Sequence, residues 1–184
     1  MRAFRSIVLG SAVFVSAGAP LGCASEDSAE KPLCGGEPVC IAFKDQFAGY
    51  HSWKSTPGTS TIVKDAGIHS AGKRTVYVNA MPKAGSKEYP IGTIIVKEIE
   101  DDEDIRLRTV FAMVKRGGDF NKSGAANWEW FELVAYPNDT VQIKWRGFGP
   151  PDGENYGGSK DGCNTCHQAA KANDYVLTAG LRLP

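Results

Sequence analysis

Residues 92–99 read GTIIVKEI, and this stretch decides between a helical chain and a sheet. β-Branched side chains dominate it, a glycine opens it, and at a period of two Thr93, Ile95, Lys97 and Ile99 share one face. Four further runs have the same character: KRTVYVN at 73–79, IRLRTVFAMVKR at 105–116, NWEWFELVAY at 127–136 and TVQIKWRG at 140–147. Each is rich in β-branched or aromatic residues and bounded by Gly, Pro, Asn or Asp, and the connections are short enough for antiparallel neighbours. The fold expected is mainly β (α+β): a five-stranded antiparallel sheet with flanking helices. One helix is expected before the sheet, in FKDQFAGYHSWKS at 43–55, where Phe43, Phe47 and Tyr50, with Trp53 as a further member, recur at helical spacing.

Outward from the sheet, the N-terminus has its own pattern. Arg2 and Arg5 precede the apolar run SIVLGSAVFVSAGA at 6–19 and then small residues, the layout of a secretory signal and too short for a membrane span. Two cleavage points are open, after Ala19 in an A-x-A site or before Cys23 in PLGC at 20–23, an imperfect lipobox. Cysteine arithmetic favours the second. Of five cysteines, Cys163 and Cys166 fall in one motif, and Cys34 and Cys40 can close a small disulfide loop in an oxidising compartment. Cys23 is left over, as a lipid-bearing thiol would be. The domain reading is a signal peptide at 1–22, a polar tether at 23–40 and a domain at 41–184, with the exported chain periplasmic or associated with the outer membrane. Without the signal the chain holds 19 basic and 21 acidic residues, no basic patch for nucleic acid, and about 150 residues for one core after the tether.

On the far side of the sheet, residues 163–167 read CNTCH. Two thiols two residues apart followed by an imidazole can hold zinc, form a redox disulfide or carry a haem. Zinc needs four ligands and the motif has three unless His51 or His69 reaches it. A thioredoxin-like pair needs a βαβ context, which is missing here. In an exported chain the pattern reads as covalent haem c attachment: thioethers from Cys163 and Cys166 and an iron ligand from His167. Asp161 is placed to cap a short helix through the motif.

The order of these segments resembles the cytochrome P460 family, exported β-rich haem proteins that include hydroxylamine-oxidising enzymes and nitric-oxide-binding relatives called cytochromes c′-beta. The resemblance rests on RTVYVN at 74–79, YPIGTIIVKE at 89–98, MVKRG at 113–117, NWEWFEL at 127–133 and CNTCHQAAKANDYVLT at 163–178. It implies one haem c with His167 as proximal ligand. It also implies, for enzymatic members, a further bond from a lysine to the macrocycle, which falls on Lys97. Without that bond, Lys97 is an exposed or snorkelling strand lysine. Hydroxylamine-oxidising members place a glutamate where the alignment puts Phe111, whose face also carries Ile105, Leu107 and Met113. An apolar wall of that kind favours a small neutral diatomic over deprotonation of an amine. Phe111 as ordinary core is the alternative. Glu98, Glu129 and Glu132 are the candidate bases, none of which the sequence places near iron.

Several residues carry plainer readings. Trp128, Trp130 and Trp145 read as sheet-packing aromatics, His51 and His69 as surface or satisfied histidines, Met113 as packing, and EIEDDED at 98–104 as a solvated hairpin turn. Three functions are then in play: oxidation of hydroxylamine or nitric oxide with electrons passed to a periplasmic acceptor, capture of a diatomic without turnover, and plain electron transfer. The resemblance adds homodimers as an expected assembly.

Overall fold

The computed structural model describes residues 42–57, 72–100, 108–154 and 161–184, all within the unit Lys31–Pro184. The cysteines 23, 34 and 40, His69, Ile105 and Leu107 lie outside the described residues, as do the proposed signal and tether.

Six strands form one antiparallel sheet in simple sequence order: β1 Lys54–Pro57, β2 Lys73–Val78, β3 Ile94–Glu100, β4 Arg108–Lys115, β5 Trp128–Ala135 and β6 Val141–Gly147. The five expected strands are there, and β1 is the correction. Four residues, KSTP, carry no apolar alternation, and Pro57 suits only an edge strand, so nothing in that stretch distinguishes it from a loop. The helix expected at 43–55 is also shorter than its spacing implied. Helix α1 covers Lys44–Phe47, Ala48 is extended, and Gly49 turns left-handed at φ 69° before a 3₁₀ turn at Tyr50–Ser52. Phe47 and Tyr50 are fully buried, while Phe43 is 63% exposed and so does not share their face.

The sheet buries both faces. One packs Ile94, Val96, Val110, Ala112, Val114 and Phe131 against Phe47 and Tyr50. The other carries Val76, Ile95, Phe111, Met113, Trp128 and Trp130 and is covered by the C-terminal segment through Tyr175, Val176 and Leu181. Helix α2, Gly162–Gln168, packs on this second face through Cys163. Asp161 takes the N-cap position without a side-chain cap hydrogen bond; its carbonyl accepts from the Thr165 amide at 2.8 Å.

Candidate functional site

Register determines which residues meet. Pairing of Thr56 with Val76, Val76 with Lys97, Lys97 with Phe111, Phe111 with Glu132 and Glu132 with Trp145 draws one row across all six strands. Directly opposed residues on one face have Cβ atoms about 4.5–5.5 Å apart, so Lys97, Phe111 and Glu132 are immediate neighbours. The adjacent row is Val78, Ile95, Met113 and Trp130.

Between these rows and α2 lies a cavity of about 720 Å³. Lys97, Phe111 and Met113 line its sheet side, and Cys163, Cys166 and His167 line it from α2. Arg74, which the sequence did not single out, and Trp130, which reads there as sheet packing alone, belong to it as well. Arg74 lies two places before Val76 in β2 and shares its face, a signal the alternation of β2 carried. Trp130 sets its ring 4.5 Å from the His167 ring, so it contacts the site and is more than a sheet-packing aromatic.

Helix α2 is fixed by Asn164, the first residue between the two cysteines. Its Oδ1 accepts from Trp130 Nε1 at 2.9 Å, Asn121 Nδ2 at 2.8 Å and the Ala125 amide at 3.1 Å, and its Nδ2 donates to the Phe148 carbonyl at 2.9 Å. Gly124 makes this approach feasible: a Cβ there would stand 2.4 Å from Asn164 Cγ and 2.4 Å from Asn121 Oδ1. No sequence pattern points to this arrangement, because the two positions between the cysteines of a CxxCH motif show no apolar periodicity.

His167 Nδ1 lies 2.6 Å from the Tyr175 carbonyl. A carbonyl only accepts, so Nδ1 carries the proton and Nε2 is the nitrogen left to ligate. Burial drives the imidazole down to about 4, with the neighbouring Lys97 charge acting in the same direction and the Tyr175 bond opposing both. The ring is therefore neutral at pH 7, as an iron ligand must be. Burial also lowers Lys97 to about 8, reinforced by Arg74 and opposed by Cys166. Lys97 is half-buried on the cavity wall, so it is not a fully exposed strand lysine, and its partial exposure is compatible with snorkelling. Burial raises the Cys163 thiol to about 11.

The three candidate glutamates separate by face. Glu98 accepts from the Tyr50 hydroxyl and pairs with His51 Nε2 at 2.9 Å, while Glu129 is held by Arg116 and Arg146 at 2.7 and 2.6 Å; both lie on the sheet face away from the cavity. Glu132 alone belongs to the row of Phe111, where it accepts from Trp145 Nε1 at 2.7 Å and Lys144 Nζ at 3.1 Å. His51, held between Glu98 and Asp139, points away from α2. Met113 lines the cavity within the core.

Among the described residues no group of three or more His, Cys, Asp or Glu side chains is gathered as a metal ion would require. Two thiols and a neutral imidazole on one helix, facing a largely apolar cavity, instead match in kind the donors that a covalently bound haem c needs, and a cavity of this size falls within the ordinary range for ligand sites. The fold and site thus define a β-sheet haem protein. The family model for Cytochrome P460 matches residues 47–178, well over half of the chain, and the chain belongs to that family. Membership implies a covalently bound c-type haem and the kind of cytochrome that handles nitrogen compounds. No curated protein and no solved structure matched the chain.

Proposed function

We propose that this chain is an exported mono-haem cytochrome that takes a small nitrogen compound into the cavity opposite His167, oxidises hydroxylamine or nitric oxide there, and passes electrons singly to a periplasmic acceptor. The observation that carries this reading is the pair Lys97–Phe111 lining the cavity opposite the CxxCH helix, with Glu132 next to Phe111 in the same row but behind the lining. Cys163 and Cys166 would hold the haem by thioethers, and His167 Nε2 would ligate its iron. The haem would supply the redox-active iron that takes up the substrate's electrons.

The chain's own residues do the rest. The Tyr175 carbonyl holds the proton at His167 Nδ1. Phe111, Met113 and Trp130 exclude water and fit a small, weakly polar molecule. Two-electron oxidation of hydroxylamine to nitroxyl releases two protons: Glu132, the carboxylate next to Phe111 along the row, is the group to receive one, and solvent takes the other. Lys97, with its amine easily freed of its proton, is placed for a further bond to the macrocycle of the P460 type. Around this domain we place a signal peptide ending before Cys23, a lipid on Cys23 as the sole membrane contact, a Cys34–Cys40 disulfide, a location in the periplasm or at the outer membrane, and assembly as a homodimer.

A second reading is favoured by Phe111 itself: an apolar side chain where hydroxylamine-oxidising relatives carry a carboxylate fits capture of nitric oxide without turnover. Purified protein supplied with hydroxylamine and a one-electron dye acceptor separates the two. Many turnovers per haem support the enzyme; tight nitric oxide binding with at most one turnover supports the binder. Failure to bind either compound would sink both.

A further inference from the structure

On the far side of His167 the backbone takes an unusual course. Asp174 and Tyr175, neither of them glycine, stand consecutively in the left-handed region at φ 51° and 66°. Such conformations are unfavourable for side-chain-bearing residues and persist only where surrounding structure imposes them; they concentrate at functional sites. Here the turn aims the Tyr175 carbonyl at His167 Nδ1, 2.6 Å away.

Asp174 caps the 3₁₀ turn Lys171–Asn173, the Tyr175 amide donates to the Ala170 carbonyl at 2.9 Å, and a buried ion pair joins the turn to β4. Lys115 Nζ lies 2.7 Å from Asp174 Oδ1 and 2.8 Å from Oδ2, and both residues are nearly inaccessible, at 2% and 7% exposure. The carboxylate also accepts from the Tyr89 amide at 2.8 Å and from Trp128 Nε1 at 3.4 Å, and Lys115 sits over the Trp128 ring. The exposed Glu88 adds a looser contact to Lys115 at 3.5 Å. A buried ion pair is weak evidence for stability, because desolvation offsets most of its attraction, so a role in conformation is the better account of one attached to a strained turn.

We propose that Lys115 and Asp174 are positioning residues for the proximal imidazole: they hold the left-handed Asp174–Tyr175 turn so that its carbonyl keeps His167 Nδ1 protonated and hydrogen-bonded. That bond raises the basicity of Nε2, stabilises ferric over ferrous iron and so lowers the reduction potential. The inference rests on haem attachment at His167.

The test uses the haem-loaded protein. Lys115→Met combined with Asp174→Ala removes both anchors, leaves no unpaired buried charge and places a residue ill-suited to the left-handed region in the turn. The ferric–ferrous equilibrium should move about tenfold toward the reduced form, a rise of about 59 mV for one electron. The iron–imidazole stretching frequency of the ferrous protein should fall. Lys115→Arg, which keeps the charge pair, should retain parental values. If the double variant does not accumulate, Lys115→Met combined with Asp174→Asn, which removes the ion pair but keeps an acceptor for the Tyr89 amide, should loosen the turn less and shift the equilibrium the same way by at least twofold. A folded, haem-loaded variant with parental potential and stretching frequency overturns the inference. Absence of haem c from the parent, seen in its alkaline pyridine spectrum, instead overturns the haem assignment beneath it.

Discussion

Lys97 faces both an apolar cavity and a cationic neighbour, and both disfavour its ammonium form. With its amine lowered to about 8, the neutral fraction rises about tenfold for each pH unit below that value and levels off above it. A covalent bond from Lys97 to the macrocycle needs the neutral amine. After digestion, the yield of a peptide holding Lys97 joined through haem to one holding Cys163–His167 should climb with loading pH up to about 8 and then flatten. Lys97→Ala should abolish the joined peptide and leave the thioethers intact; yield independent of pH would show that the amine's ionisation does not limit the bond. Next in the row, Phe111 and Glu132 decide the rate. A positioned general base contributes roughly a hundred- to ten-thousand-fold. Glu132→Gln should therefore slow hydroxylamine turnover by at least tenfold, and Phe111→Glu, closer to the cavity centre, should raise it. No change in either, with haem and fold intact, would assign both residues to the core. The sequence could pair Trp130 with Glu132 on one face of β5 by alternation, yet it could not say which face turns toward α2, because both faces of this sheet are buried.

At the scale of elements, α2 depends on one side chain. Asn164 Oδ1 serves three buried donors; Asn121 Nδ2 also has the Trp128 carbonyl at 3.0 Å, so Asn164→Ala would strand Trp130 Nε1 and the Ala125 amide, at a cost of about 1–3 kcal/mol for each. Urea denaturation should show a loss on the order of 3 kcal/mol with an unchanged m-value, together with a lower haem content. Gly124→Ala should act through the same contact by overpacking, costing about 1–3 kcal/mol. A loss under 0.5 kcal/mol in both would mean that α2 is docked by Cys163 and the C-terminal segment without help from Asn164. The long strands β2 to β6 were readable because β-branched and aromatic runs end at turn residues. The edge strand β1 was not, since its pairing comes from β2 and not from its own four residues. The early helix was overextended because Phe43, Phe47 and Tyr50 keep helical spacing while Gly49 and the extended Ala48 break the backbone between them.

Over the whole molecule, the sheet separates two tasks. One face buries Glu98 in an ion pair with the His51 turn and Glu129 in ion pairs with Arg116 and with Arg146 of β6, which also donates to the Ala42 carbonyl just before α1. The other gives its surface to the cavity. The CxxCH motif made the donor set legible, since its chemistry is local, whereas the Asn164–Trp130 contact, the Lys115–Asp174 pair at the turn and the placing of Glu132 beside Phe111 arise from residues 34, 59 and 21 positions apart in the chain. Maturation should leave two marks in the intact mass: a lipid on an N-terminal Cys23 and one haem on Cys163 and Cys166. A chain beginning at Pro20 with an unmodified Cys23 would remove the lipid and leave the haem. Openness of the iron on the side opposite His167 is the central claim, and it is tested most directly by optical spectra of the purified oxidised and reduced protein with and without nitric oxide. The ferric form should be high-spin and both forms should change promptly on adding nitric oxide; a low-spin spectrum of the His–Met or bis-His kind, indifferent to nitric oxide, would contradict it.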